Sequence, residues 1–254
     1  MTFTKTELKL PSGNLTCHVG GSGDPLLYFH TAGGVKISPA IEKLSERFKI
    51  YLPVMPGFDG TDKRDKLRSM TDLADLGAEI IDNEIKRPCD VLGHSFGGWA
   101  AAWLAAKHPE KVSLLTLVAA AGFRGEGAGG LVDDPEELRR RMYAHPENAG
   151  KQPIDRAMAQ ANRAAAHHYN GGKAMDRDLV GMLDRITALT LIVQGTKDGV
   201  IPADCARLLK SKIPHSSCIY LYDAAHAVDV DQPERYAALV GDFFARGEAF
   251  IVVQ

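Results

Sequence analysis

Ser95 stands in the run Val91-Leu92-Gly93-His94-Ser95-Phe96-Gly97-Gly98-Trp99, between an apolar stretch at 89–92 and an alanine-rich helical pattern at 99–107. A strand that turns at once into a helix around a serine strains that serine's backbone. Its neighbours two residues either side must then be tiny, because the two backbones nearly collide. Gly93 and Gly97 supply that clearance, and Gly98 lets the helix lie close to a sheet. The hydroxyl is thereby held out beside a helix amino end, where N–H groups favour negative charge. A serine hydroxyl is a weak nucleophile at neutral pH and needs a base beside it. Histidine titrates in the right range, and a carboxylate fixes its tautomer and stabilises the cation that forms. Asp198 and His226 lie in loops after two later strand-like runs. The order Ser95, Asp198, His226 is the one expected when all three are presented along one edge of a parallel sheet. Asp223, Asp229 and Asp231 also flank His226. Asp198 is the preferred acid because its loop ends a preceding strand.

The elements that must position these groups read as alternating strand and helix. Residues 6–10 and 15–19 flank the turn-rich Pro11-Ser12-Gly13-Asn14 and predict an amino-terminal hairpin. Strands are expected at 25–30, 48–54, 89–92, 112–118, 189–194 and 217–222, and helices at 39–47, 71–86 (with Thr71 as N-cap), from 96, at 203–212 and at 233–246. That alternation predicts an α/β fold with a mostly parallel sheet covered by helices on both faces. It breaks at Gly122. Residues 122–185 open with Gly125, Gly127, Gly129 and Gly130, show no good strand, and carry helical pieces at 135–144, 154–168 and 178–184. The expected organisation is therefore a core of residues 1–121 and 186–254 with a small helical cap inserted at 122–185. Met142, Met158, Met175 and Met182 fall in the insertion and either line an adaptable apolar pocket or weld the cap to the body. Trp99 and Trp103, four apart on one helix, read as packing residues. His30 and His94 read as structural. His167 and His168 either touch a substrate or cap a solvated helix end.

Bulk properties exclude several function classes. The 254 residues are 45% hydrophobic and 24% charged, with a net charge of −2, which gives no general electrostatic case for nucleic acid or an anionic membrane. No stretch nears the roughly 18 apolar residues of a spanning helix. The amino end, with Lys5, Glu7 and Lys9, lacks a hydrophobic signal core, so the expected location is the cytoplasm. Cys17, Cys89, Cys205 and Cys218 are scattered, without the Cys/His spacing of a metal site. The expected partner is a small-molecule substrate. The apolar tail at 250–254 is the only hint of a homodimer.

Four stretches together resemble the α/β-hydrolase family, and the resemblance covers nearly the whole chain. Gly93-His94-Ser95-Phe96-Gly97-Gly98 matches its nucleophile elbow. Gly195-Thr196-Lys197-Asp198-Gly199-Val200-Ile201-Pro202 resembles its acid loop. Ala225-His226 with Gln232-Pro233-Glu234 resembles its histidine loop, where glycine is more usual at position 225. Pro56-Gly57-Phe58 corresponds to its Pro-Gly turn, with Asp59 as an extra residue before Gly60. The resemblance implies Ser95 as nucleophile, His226 as general base and then acid, and Asp198 as its orienting partner. It also implies an oxyanion hole made by the N–H of Phe96 and an N–H of His30-Thr31-Ala32-Gly33-Gly34. Position-matching favours Ala32, with Gly33 as the alternative. The expected activity is cofactor-free hydrolysis of a small or medium carboxylic ester through an acyl-enzyme. Carbon–carbon bond hydrolysis, or lactonase or perhydrolase chemistry, on the same triad is the alternative. A non-catalytic ligand-binding relative is a different class. Serine rather than aspartate at the elbow argues against the dehalogenase and epoxide hydrolase branches.

Overall fold

The computed structural model describes residues 2–125, 134–149 and 155–250. Its strands are β1 (Thr4–Leu10), β2 (Gly13–Gly20), β3 (Asp24–Phe29), β4 (Phe48–Pro53), β5 (Cys89–His94), β6 (Val112–Val118), β7 (Leu189–Gly195) and β8 (Ser216–Leu221). They form one sheet in the order β1-β2-β4-β3-β5-β6-β7-β8. β1 and β2 make an antiparallel hairpin that joins β4 antiparallel, and every other pairing is parallel. Along the parallel half, Phe29 lies opposite Gly93, His94 opposite Val118, Val118 opposite Val193, and Gly195 opposite Leu221. The carboxyl ends of these strands are therefore level, and the loops that follow them share one rim.

The helices are α1 (Pro39–Leu44), α2 (Met70–Ile80), α3 (Phe96–Lys107), α4 (Pro135–Met142), α5 (Arg156–Asn170), α6 (Arg177–Val180), α7 (Ala203–Lys212), α8 (Val228–Asp231) and α9 (Pro233–Arg246). Strand alternation sorts them onto two faces. Leu27, Phe29, Val91, Leu115, Leu117 and Ile192 point to a core shared with α2, α3 and α7. Leu26, Tyr28, Leu92, Leu191 and Val193 point to a second core closed by α1 and α9. α3 lies deepest: every residue from Phe96 to Ala106 is buried, which suits a helix apolar all round.

Several local expectations shift. α2 begins at Met70 rather than beyond Thr71, because Ser69 has the extended backbone and accepts from the Asp72 N–H at 3.2 Å. It is α-helical only to Ile80, and Ile81–Ile85 continues as a wider π-helical turn closed by Lys86 at φ 63°. α1 stops at Leu44, where Glu46 and Arg47 instead close tight three-residue turns onto Lys43 and Leu44. α8, just past His226, has no counterpart in the sequence pattern.

Residues 122–185 leave the sheet after β6 and return to it at β7. Their described part holds α4, α5 and α6 and a single bridge, Phe123 with Met175, but no strand. Asp176 anchors this segment: its Oδ2 accepts from the indole N–H groups of both Trp99 (2.8 Å) and Trp103 (2.7 Å), and its Oδ1 caps α6. The two tryptophans are therefore hydrogen-bond donors as well as packing residues. Met182, one of the four methionines, packs against the core. Gly127, Gly129, Gly130, Ile154 and the tail beyond Phe250 lie outside the described residues; Phe250 itself meets Phe243 edge-on at 5.4 Å. Among the described residues no helix is long and apolar enough to cross a membrane.

Candidate active site

Ser95 sits between the last residue of β5 and the first of α3, at φ 56° and ψ −115°. Its backbone is locked from both sides: its N–H donates to the Val118 carbonyl at 2.8 Å, and its carbonyl accepts from Ala121 at 2.9 Å. The neighbouring glycines are there because backbone already fills their space. A Cβ on Gly97 would lie 2.0 Å from the Phe29 carbonyl oxygen, and one on Gly93 would lie 2.4 Å from that of Gly97. This close approach presses the start of α3 against Phe29 and His30, bringing the loop after β3 beside the serine.

The three residues singled out in the sequence meet. Ser95 Oγ lies 2.9 Å from His226 Nε2, and His226 Nδ1 lies 3.0 Å from Asp198 Oδ2. A carboxylate oxygen accepts, so Nδ1 carries the ring proton and Nε2 is left to accept from the serine hydroxyl. Asp198 is itself immobilised. Its Oδ1 accepts from Val200 and Ile201, both at 2.8 Å, and its Oδ2 also accepts from Gln194 Nε2 at 2.8 Å. Gln194, buried on β7, was not singled out in the sequence; four residues before an acid in a strand-ending loop, it had no distinguishing signal.

The other acids near His226 hold different partners. Asp231 accepts from Ala225, Ala144 and His145 N–H groups at 2.8, 2.9 and 3.2 Å, joining the histidine loop to the end of α4. Asp223 binds Lys197 and His145, which lower its pKa, and its carboxylate in turn raises the pKa of His145. Asp229 lies 3.8 Å from His94 Nδ1. His94 Nε2 donates to the His226 carbonyl at 2.9 Å, and burial lowers the His94 pKa, keeping this ring neutral behind the triad. Burial likewise lowers the pKa of His30. Its Nε2 accepts from the Met55 N–H at 3.1 Å, leaving Nδ1 to donate to the Thr31 carbonyl at 2.7 Å. His168 donates to the Leu67 carbonyl at 3.0 Å. Burial pushes the Cys17 and Cys89 thiols up to about 12, which removes them as nucleophiles.

At this rim the N–H groups of Phe96 and Ala32 have no acceptor among the described residues and can receive a developing negative charge. Phe96, the first residue of α3, has no carbonyl within its helix to bond. In the loop after β3 the amides are engaged one by one: Gly33 to Thr31 Oγ1 (3.2 Å), Gly34 to the Thr31 carbonyl (3.1 Å) and Val35 to Asp59 Oδ2 (2.7 Å). Of the four amides from Ala32 to Val35, that of Ala32 is the one with no acceptor among the described residues. That favours Ala32 over Gly33 as the second donor. No group of three or more His, Cys, Asp or Glu side chains among the described residues is placed to hold a metal ion.

Known proteins similar to this chain are numerous. A 2-hydroxymuconate semialdehyde hydrolase of Pseudomonas sp. (strain CF600) is 25% identical over 256 residues, covering 91% of this chain and 90% of its own. A pimeloyl-[acyl-carrier protein] methyl ester esterase of Yersinia enterocolitica is 28% identical over 225 residues, covering 80% and 85%. Among solved structures, a meta-cleavage product hydrolase from Pseudomonas fluorescens IP01 superposes with a TM-score of 0.77 at 22% identity, over 94% of this chain and 97% of that one. The model of the alpha/beta hydrolase family matches residues 16–239, and with an elbow, sheet order and rim of this form the chain belongs to that family.

Proposed function

We propose that this protein is a serine hydrolase that cleaves a small or medium carboxylic ester through an acyl-enzyme on Ser95. The observation that carries the reading is the continuous hydrogen-bonded path from the Ser95 hydroxyl through His226 to the Asp198 carboxylate, at 2.9 and 3.0 Å. In the first step His226 Nε2 takes the hydroxyl proton as Oγ attacks the ester carbonyl. The Asp198 carboxylate holds the imidazole in the productive tautomer and stabilises the imidazolium. Negative charge builds on the carbonyl oxygen, which the N–H groups of Phe96 and Ala32 receive; one such donor lowers the barrier by about 2.7–4 kcal/mol. His226 then protonates the departing alkoxide. Water, deprotonated by the same nitrogen, releases the acid and restores the serine. Hydroxyl, imidazole, carboxylate and two amides supply every proton and charge in this sequence, so it calls for no cofactor. The helices of 122–185 act as a cap over the rim, since Ala144, His145 and Met142 of that segment bond the histidine loop directly.

A second reading uses the same residues on a carbon–carbon bond, and the 2-hydroxymuconate semialdehyde hydrolase relative favours keeping it. A fluorophosphonate probe tests the shared chemistry. It is expected to label the wild type at Ser95, and Ser95→Ala is expected to abolish labelling and lower ester turnover by about 10⁴-fold or more. Labelling that survives in the alanine variant would point to another nucleophile. Comparing a short p-nitrophenyl ester with a vinylogous diketone separates the two bond types.

A further inference from the structure

We infer that Asn162, on α5 of the inserted segment, is a positioning residue that acts with Asp59 to aim the Ala32 N–H; this rests on the acyl-transfer reading above. In a trans peptide the N–H points opposite to the preceding carbonyl, so the direction of the Ala32 N–H is set by the Thr31 oxygen. That oxygen has two donors, His30 Nδ1 at 2.7 Å and Gly34 N at 3.1 Å. His30 is held in turn by Met55, so its side of the loop is tied to the residues just beyond β4. The Gly34 side depends on Asp59 and Asn162.

Asp59 Oδ2 accepts from the Val35 N–H at 2.7 Å, one residue past Gly34. Its other oxygen accepts from Asn162 Nδ2 at 2.9 Å. The Asn162 amide also donates to the Gly33 carbonyl at 3.1 Å and accepts from the Asp59 N–H at 2.8 Å. Both of its Nδ2 protons and its oxygen are thus directed at this loop and at the Pro-Gly turn. Asn162 is 2% exposed, so the amide sits where an apolar side chain would serve packing alone, and an unbonded amide would be costly. Gly34 is shaped to the clamp: at φ 85°, a Cβ there would lie 2.0 Å from Asp59 Oδ1 and 2.6 Å from Asn162 Nδ2. Asp59, the extra residue in the Pro-Gly turn, adopts φ 50° to reach inward. Removing the amide frees Gly33 to Val35, slackens the Gly34 bond to Thr31, and lets the Thr31–Ala32 peptide rotate away from the serine.

The test uses Asn162→Leu, Asn162→Asp and the exchanged pair Asp59→Asn with Asn162→Asp. A short p-nitrophenyl ester is the substrate, a boronic acid that adds to Ser95 is the tetrahedral mimic, and an unreactive ether analogue reports ground-state binding. Each single variant is expected to lose about 10- to 100-fold in kcat, as for a displaced rather than deleted donor. KM and ether affinity should stay within about twofold, and boronate affinity should fall in parallel with kcat. The exchanged pair keeps the Val35 N–H bond to residue 59 and reverses the side-chain bond between 59 and 162, but it loses the bond to the Gly33 carbonyl, so it should recover part of the loss relative to Asn162→Asp. Unchanged boronate affinity, or a kcat per folded molecule within about twofold of wild type, overturns the inference. If a single variant does not fold, the exchanged pair decides: recovery of activity supports the clamp, and a folded but inactive pair overturns it. Amide hydrogen exchange at Gly34 and Val35 separates this idea from the reading beneath it. Exchange should accelerate in Asn162→Leu even if no ester is cleaved, and unchanged exchange overturns the clamp even if Ser95 is labelled normally.

Discussion

Ser95 and Asn162 both serve the rim of the sheet, and they are held there by opposite means. Around Ser95 the restraint is backbone against backbone: Gly93, Gly97 and Gly98 are in place because carbonyl oxygens and Ala120 occupy the volume a side chain would need. The helix behind them is buried from Phe96 to Ala106. The inserted segment has little of this. α4 buries no residue, and α5 buries only Asn162, Ala165, Ala166 and Tyr169. It is attached by a few buried apolar residues, Phe123, Leu179 and Leu183, and by polar contacts with backbone or indole groups through Asn162, Asp176 and Asp231. The elbow is thus set by excluded volume, which tolerates one residue type. The insertion is set in part by hydrogen-bond partners, which can be removed one at a time with the elbow intact.

The sharpest way to break this contrast is Gly97→Ala. The added methyl meets the Phe29 carbonyl at 2.0 Å, with backbone on both sides and no flexible group to yield. Loss of more than about 4 kcal/mol, or no soluble folded protein, is expected; a folded, active Gly97→Ala would show that the rim can relax. Next comes Asp176→Ala. It strips the acceptor from two buried indoles and should cost about 2–4 kcal/mol in denaturant unfolding. Ester turnover at low temperature should persist, because the residue touches none of the triad. If turnover fell with stability unchanged, the segment would bear on the chemistry of the site and not only on the fold.

The smallest effect has the opposite sign and probes the strand carrying Ser95. Asp90 is buried on β5, and that burial, with Asp24 nearby, pushes its carboxyl up from 3.8 to about 7. The folded chain therefore keeps a proton that the unfolded chain releases. Its contribution to stability is whole below pH 3.8 and is lost as pH rises through about 7. Asp90→Asn should be more stable than wild type by about 1–3 kcal/mol at pH 8 and nearly equal to it at pH 4. Thermal melts across that range check it, and a gain that is independent of pH would rule out ionisation as the cause. The polar residue at the buried start of β5 would then be a liability, in contrast to the polar residues at its rim.

Much of the site was legible in the chain because it is local. Gly93 and Gly97 flanking Ser95 follow from one strained turn, and the loops of Asp198 and His226 follow from strands that alternate with helices. The partners that brace these groups were not legible. Asn162 and Gly33 are 129 residues apart, Asp176 and Trp99 are 77 apart, and no periodicity or spacing links either pair. Ser69 in place of Thr71 as the α2 cap is a smaller instance: both can cap, and only the backbone angle chooses.

From the chain alone came the parallel sheet, its ordered rim and the three residues, Ser95, His226 and Asp198, that meet there, because side-chain volume and strand alternation act over a few residues. Folding alone decided which N–H between Ala32 and Val35 is left without an acceptor among the described residues and which amide from the inserted segment braces the loop. Those depend on the direction of hydrogen bonds between distant segments, and direction exists only once the segments have met.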